Sequence, residues 1–296
     1  PTATGKTKLA IAIAQKFSSV IINADSLQLY KDFTVLTNRP GKKEFQNIQS
    51  KLFGIISAPE SPNLGWWRDE VIREIKLAQS NHMLPIIVGG TGLYINSLEN
   101  KTSKIPEINL KVRNKISKIL EKKGLSFLYS KLKTLDFNSY TKLNKNDKQR
   151  ICRAIEVKIS TGKTIDFWHQ LNNNKEEEEK VLKKYLFIVL KEERKTLYDR
   201  INKRFQDMID NGAIEEVNFF LKRKISLDHP IYKTIGLKNL IRFLRGELDL
   251  ETAIKLSQKD TRNYAKKQIT WFKNQPKNAN FLEFNDALKF IFKNIY

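Results

Sequence analysis

Apolar positions recur at different periods along the chain, and the change of period divides it into regions. Between Leu9 and Phe17 they repeat at helical spacing, and Ser19-Val-Ile-Ile-Asn23 follows as a short β-branched run. Phe53-Gly-Ile-Ile56 and Leu84-Pro-Ile-Ile-Val88 read as further strands, with an amphipathic helix over residues 66–79 between them. Strands alternating with helices predict an α/β fold with a parallel sheet. From about Ile108 the strand signals stop. Val112, Ile116, Ile119 and Leu120 form one apolar stripe, which Gly124 is expected to end as a C-cap. Ile151, Ile155 and Ile159 form another behind the capping pair Asn146-Asp147. Tyr185-Leu-Phe-Ile-Val-Leu190 reads as a strand rejoining the core sheet, and a helix over residues 196–211 carries Leu197, Ile201 and Met208 as its buried stripe. The expected organisation is a core over residues 1–107, a helical insertion over 108–184, and a second core part over 185–296. The charged, low-complexity stretch Asn172 to Glu179 reads as a solvated linker.

The chemistry gathers at the strand ends. Pro1-Thr2-Ala3-Thr4-Gly5-Lys6-Thr7 matches all but the opening glycine of the phosphate-cradling pattern G-x-x-x-x-G-K-[ST], with the first helix directly behind it. In such a loop, backbone N–H groups and a helix N-terminus meet an anion, Lys6 adds a point charge, and the Thr7 hydroxyl can hold Mg²⁺. The alternative is a Gly-Lys-Thr tripeptide that merely starts a helix. Such a loop normally follows a buried strand, so that strand and a starting Met are expected upstream of Pro1. Asp25 ends the first strand run and should face the loop, because α/β sheets place their chemistry at the C-terminal edge. Gly89-Gly-Thr-Gly92 gives a second glycine-rich turn at that edge. It is either a tight turn alone or the place where Thr91 meets substrate.

Composition adds a partner. In 296 residues, 54 Lys and Arg against 32 Asp and Glu leave a net charge of +22, which points to a polyanion such as nucleic acid. With 41 Lys to 13 Arg, the base bias of an AT-rich genome is the competing explanation, so the arginines carry more information. Arg200 and Arg204 stand four apart on one helix and can grip one diphosphate, or else form a surface pair with Asp207. Arg150 and Arg153 make a similar pair in the insertion. Residues 261–273 interleave cations with Tyr264 and Trp271, a pattern suited to phosphates and unstacked bases, although Trp271 and Phe272 serve equally as core anchors. The single cysteine, Cys152, excludes an internal disulfide, and His82, His169 and His229 are too scattered for a metal site. No apolar run approaches the ~18 residues of a membrane span, and no signal peptide is visible. A cytoplasmic, monomeric protein with no membrane association is expected.

Taken together, these motifs resemble the tRNA dimethylallyltransferase (tRNA isopentenyltransferase) family. The resemblance rests on the loop at Pro1 to Thr7, Asn23-Ala-Asp-Ser-Leu-Gln-Leu-Tyr30, Arg39-Pro40, Val88-Gly-Gly-Thr-Gly-Leu-Tyr94, and Asn146-Asp-Lys-Gln-Arg150 with Arg153-Ala-Ile-Glu156. It continues through Thr161-Gly162, Asp199-Arg-Ile201, Ile235-Gly236, Thr261-Arg262 and Lys267-Gln-Ile-Thr-Trp-Phe272. It implies a P-loop core with a helical insertion, Mg²⁺ as cofactor, and transfer of a dimethylallyl group from its diphosphate to N6 of adenosine 37 beside the tRNA anticodon.

The family's roles, carried over, make Asp25 the general base. Thr2 touches the leaving diphosphate, and Lys6, Thr7 and Arg200 stabilise its charge, with Arg204 beside them. On the RNA path the resemblance places Asp25, Ser26, Leu27, Gln28, Thr91 and Arg113. It adds Gln149, Arg150, Ile151, Cys152 and Arg153, and then Lys233, Thr234, Ile235, Gly236, Leu237 and Lys238. This chain departs from the family pattern at the first loop glycine, at Ser50-Lys51-Leu52 where the family has a histidine, and at Gly236-Leu237 where it has Gly-Tyr. The rival readings are a P-loop kinase, with Asp25 on Mg²⁺ or an acceptor hydroxyl, and a non-catalytic RNA-binding module.

Overall fold

The computed structural model describes residues 1–99, 105–171, 184–275 and 278–295; the linker expected at residues 172–179 lies outside them. The elements are helix α1 (Lys6–Ala14), strand β1 (Ser19–Asn23), α2 (Lys42–Phe45), β2 (Gln49–Lys51), α3 (Leu64–Ser80), β3 (Leu84–Val88) and α4 (Gly92–Glu99). Then come α5 (Leu110–Leu135), α6 (Phe137–Lys142), α7 (Lys148–Thr161), α8 (Ile165–Leu171) and β4 (Phe187–Leu190). The last are α9 (Arg194–Asp210), α10 (Ala213–Leu221), a 3₁₀ turn (Pro230–Lys233), α11 (Leu237–Leu244), α12 (Leu250–Asn274), β5 (Ala279–Leu282) and α13 (Phe284–Asn294). The chain forms two compact units, Pro1–Glu99 with Lys180–Tyr296, and Asn100–Glu179.

In the first unit β1 is central, with parallel neighbours in the order β2-β1-β3. Both its faces are covered, which is why it runs apolar without alternation. Val20 and Ile22 pack with Trp67, Val71 and Ile75 of α3, while Ile21 packs with Ala10 of α1 and Phe45. The same large core takes in Phe205, Met208, Val217, Phe220, Leu237 and Leu240 from the late helices, so the two stretches of this unit share one interior. The register sets Asn23 opposite Val88, and both strands end at one edge. There Ala24 N–H donates to the Val88 carbonyl (2.8 Å) and Thr91 N–H to the Ala24 carbonyl (3.2 Å).

The parallel α/β core is as expected, but three local expectations fail. The strand read at Phe53 to Ile56 lies earlier, at Gln49–Lys51, because Leu52 (φ 63°) and Gly54 (φ 58°) adopt left-handed backbone that breaks pairing; Ile56 keeps a single bridge to Tyr30. Among the described residues β4 does not join the β1 sheet but pairs in parallel with β5, a strand whose Ala-Asn-Phe-Leu sequence lacks alternation. Gly124 (φ 77°, ψ 173°) leaves helical backbone and ends the first stretch of helix, as expected of it. It kinks α5, and helix resumes so that Leu128 and Leu132 reach the interior of the second unit with Ile116, Ile151 and Ile155. Ile159 is 48% exposed and outside that core.

Candidate active site

The phosphate loop curls on itself before α1 begins. Ala3 (φ 63°) and Gly5 (φ 85°) take left-handed backbone, and the Thr4 hydroxyl donates to the Pro1 carbonyl at 2.9 Å. The Lys6 ammonium donates to the same carbonyl at 2.5 Å, so its charge is held over the loop at the helix N-terminus.

Across the sheet edge, Asn23 builds the turn that presents Asp25. Its side-chain oxygen accepts the Asp25 N–H (2.8 Å), and its amide donates to the carbonyls of Asp25 and Leu52 (2.9 Å each). The Asp25 carboxylate accepts the Leu27 N–H at 3.0 Å, which fixes its plane. Trp67 closes the floor, donating its indole N–H to the Asn23 carbonyl (3.0 Å) and stacking on Tyr94 with ring centroids 4.2 Å apart.

Two cations flank this carboxylate. Burial pulls the Lys6 ammonium down to about 8, partly offset by Asp25 and reinforced by Arg204. Arg204 is itself lowered by burial and raised by Asp25. Its guanidinium donates to the Thr2 hydroxyl at 2.7 Å. The phenols of Tyr94 and Tyr264 are pushed up, chiefly by burial and further by Asp25, so both stay protonated as donors at neutral pH. One carboxylate between two coupled cations leaves a net positive site that suits a multiply charged anion beside a group able to accept a proton.

The structure separates the arginine pair. Arg204 reaches the phosphate loop, whereas the Arg200 guanidinium, one turn earlier on α9, is half exposed and paired with Glu192. Of the two arginines expected at the diphosphate, Arg204 is the one in contact with the loop in this structure. Thr7 lies in the first turn of α1. No cluster of three or more His, Cys, Asp or Glu side chains occurs among the described residues. A Thr hydroxyl with one nearby carboxylate fits Mg²⁺ held mainly by substrate phosphates and water, the habit of that ion.

Of the residues expected on the RNA path, Ser26 and Thr91 meet at this edge: the Thr91 hydroxyl accepts the Ser26 N–H at 3.0 Å. Leu27 packs against the core, and the Gln28 amide is spent on the carbonyls of Thr37 (3.0 Å) and Asn38 (3.1 Å), bracing its own loop. Between residues 233 and 238, Lys233 and Lys238 are exposed and Ile235 half-buried, while Thr234, Gly236 and Leu237 are buried. In the second unit Gln149 and Arg150 are exposed, and Arg113 and Arg153 flank Glu156, whose carboxyl burial raises against the pull of both arginines. Cys152 is half-buried, and the Ile151 side chain is fully buried in that unit's core. Ile151 and Leu237 thus support their neighbours by packing, with no side-chain surface to offer a ligand.

Sequence reasoning missed Gln268 on α12. Its carbonyl oxygen accepts the Thr2 N–H and its amide donates to the Gly90 carbonyl, each at 2.7 Å. Tyr264, one turn earlier, is hydrogen-bonded by Gln268 and Thr91. The available signal was their four-residue spacing, which puts both on one helix face.

With this geometry in view, the likeness to known proteins is informative. A family model described as IPP transferase matches residues 28–275, and one described as isopentenyl transferase matches residues 1–53. The tRNA dimethylallyltransferase of Pelagibacter ubique is 41% identical over 271 residues, covering 92% of this chain and 85% of its own. That of a Wolbachia pipientis strain is 38% identical, covering 95% and 93%. Among solved structures, a tRNA isopentenylpyrophosphate transferase from Bacillus halodurans matches with a TM-score of 0.69 and 28% identity over 100% of this chain and 93% of that one. A eukaryotic dimethylallyltransferase described as acting on tRNA matches with a TM-score of 0.79 and 27% identity over 96% and 72%. A match of this length across nearly the whole chain means that the chain belongs to the IPP transferase family, that of the tRNA dimethylallyltransferases.

Proposed function

We propose that this protein transfers a dimethylallyl group from dimethylallyl diphosphate to N6 of adenosine 37, next to the anticodon of tRNA, and releases diphosphate. The observation that carries the reading is the coupling of Asp25 to both Lys6 and Arg204 at one sheet edge. An exocyclic amine is a weak nucleophile whose proton must leave as the new bond forms, and on this reading Asp25 takes it. As N6 bonds to the allylic carbon, the carbon–oxygen bond to diphosphate breaks and the electron pair leaves with that oxygen. The phosphate loop, Lys6, Arg204 and the Thr2 hydroxyl meet the developing charge with donors fixed in advance. Mg²⁺, held through Thr7 and the diphosphate itself, would supply further neutralisation of the leaving group. The adenine must be extruded from its stacked loop to reach Asp25, so contacts that hold the RNA open are required, and the cationic surface serves them. The protein acts as a monomer in the cytoplasm on this reading. No helix among the described residues is long and apolar enough to cross a membrane.

The test is to incubate the purified protein with an anticodon stem-loop, dimethylallyl diphosphate and Mg²⁺ and to digest the RNA for mass spectrometry. Adenosine 37 should gain the mass of one dimethylallyl group. If ATP but not dimethylallyl diphosphate raises the melting temperature, and no prenylated adenosine forms, the kinase reading replaces this one.

A further inference from the structure

The proposed reaction needs the leaving diphosphate and the proton acceptor at a fixed mutual distance, yet they sit on separate loops, with the Gly89–Gly90 turn as a third beside them. Gln268 is the side chain that ties those loops together. It is 5% exposed and has both ends engaged, accepting the Thr2 N–H of the phosphate loop and donating to the Gly90 carbonyl of the second glycine turn, each at 2.7 Å. The Tyr264 phenol continues the connection from Gln268 to Thr91, and Thr91 accepts the N–H of Ser26, the residue after Asp25. Thr2 is gripped from the other side as well, through its hydroxyl by Arg204.

The packing around the amide is equally particular. A Cβ on Gly90 would stand 2.3 Å from the Gln268 amide nitrogen, and one on Gly89 would stand 2.2 Å from the backbone of Ala24. These two glycines let the turn close on the Gln268 side chain and on the backbone that leads into Asp25. A glutamine that only filled space would not need both hydrogen-bonding ends directed at two different loops of one site.

We infer that Gln268 is a positioning residue. By holding Thr2 against the Gly90 turn it sets the leaving diphosphate relative to Asp25, and it touches neither substrate. The inference rests on the function proposed above and assigns the alignment of its two reacting partners to α12. Misplacement of about 1 Å at such a site lowers turnover by ~10²-fold while leaving remote binding contacts intact.

Gln268→Glu gives a discriminating test, because a protonated carboxyl copies the amide, accepting with one oxygen and donating with the other, whereas a carboxylate repels the Gly90 carbonyl. Burial raises the pKa of such a carboxyl, so the copying form is reached at mildly acidic pH. We would measure single-turnover prenylation of an anticodon stem-loop by wild type, Gln268→Glu and Gln268→Met from about pH 5.5 to 8.5, each rate divided by wild type at the same pH so that the pH dependence shared by all three cancels. Gln268→Glu should be down ~10²-fold at the alkaline end and return to within a few fold of wild type at the acidic end. Gln268→Met should stay low throughout, with stem-loop affinity within about twofold of wild type for both variants. A Gln268→Glu ratio that does not change with pH, or a Gln268→Met rate per folded molecule equal to wild type, would overturn the inference. Wild type yielding no prenylated adenosine would overturn the functional reading, and this inference with it.

Discussion

The two units use positive charge in opposite ways. At the β1 edge a few charged groups gather: burial lowers Lys6 and Arg204, and the Asp25 carboxylate beside them pulls both back up. In the helical unit, Lys111, Lys115, Lys118 and Lys122 make one exposed stripe along α5 over a small apolar core. Buried charges are costly unless paired and oriented, so each of the first group carries a large, specific effect. Exposed charges are screened and interchangeable, so each of the second carries little and acts in number. The net charge of +22 conceals this division.

The comparison breaks most readily at Asp25. Asp25→Asn should lower turnover by ~10²-fold or more, the scale of a lost general base, with melting temperature and tRNA affinity nearly unchanged. Near-wild-type turnover would remove Asp25 from the chemistry. Next in size is the contrast within α9. Arg204→Ala should lower kcat/KM for the diphosphate donor by roughly 10- to 100-fold, and Arg200→Ala by only a few fold, since Arg200 is turned toward Glu192. Equal losses would show that Arg200 leaves Glu192 when donor binds.

A smaller effect follows from Lys6. Burial and Arg204 favour its neutral form against the pull of Asp25, so the free enzyme loses this proton near pH 8 and the loop then carries one positive charge fewer. The kcat/KM for the donor should therefore hold below about pH 8 and fall above it, approaching tenfold per pH unit. A flat profile to pH 9 would mean that Lys6 stays charged. The smallest effect belongs to the lysine stripe. Removing Lys118 and Lys122 together should weaken every tRNA alike, by a few fold, and reduce the salt slope of log affinity by about 0.7 to 0.9 per lost contact. An unchanged slope would assign those lysines to solvated surface.

How much of this was legible in the sequence depended on whether a residue acts through its chain neighbours. The phosphate loop, Asp25 at a strand end and the Gly89-Gly90 turn were readable because each is local, a short motif against an apolar run. Arg200 and Arg204 were not distinguishable, since four-residue spacing gives a face but not what lies opposite; Thr2 and Glu192 decide that in three dimensions. Gln268 was hidden for the same reason, with one partner in the first loop and another in the third strand's turn. The strand misread at Phe53 to Ile56 failed on backbone, because apolar composition does not register the left-handed residues at positions 52 and 54. Strand β5 was missed because edge pairing can be made by backbone alone, whatever the side chains.

The reach between Thr2 and Gln268, 266 positions apart, has a consequence for the making of the protein. Glu216 accepts backbone N–H groups of Thr34, Val35 and Leu36 from across a separation of 180 to 182 positions, and Arg223 pairs with Asp32. At ~5–20 residues per second a ribosome needs on the order of tens of seconds to deliver the late partners of the early loops. Throughout that interval the nascent chain carries a phosphate loop and its aspartate without the clamp that aligns them, and Trp67 and Phe33 without the helices that cover them. An unfinished copy that lacks α12 is thus without this clamp and dependent on shielding of its apolar surface, and translation has to pass α12 before the site of a protein that acts on tRNA is aligned.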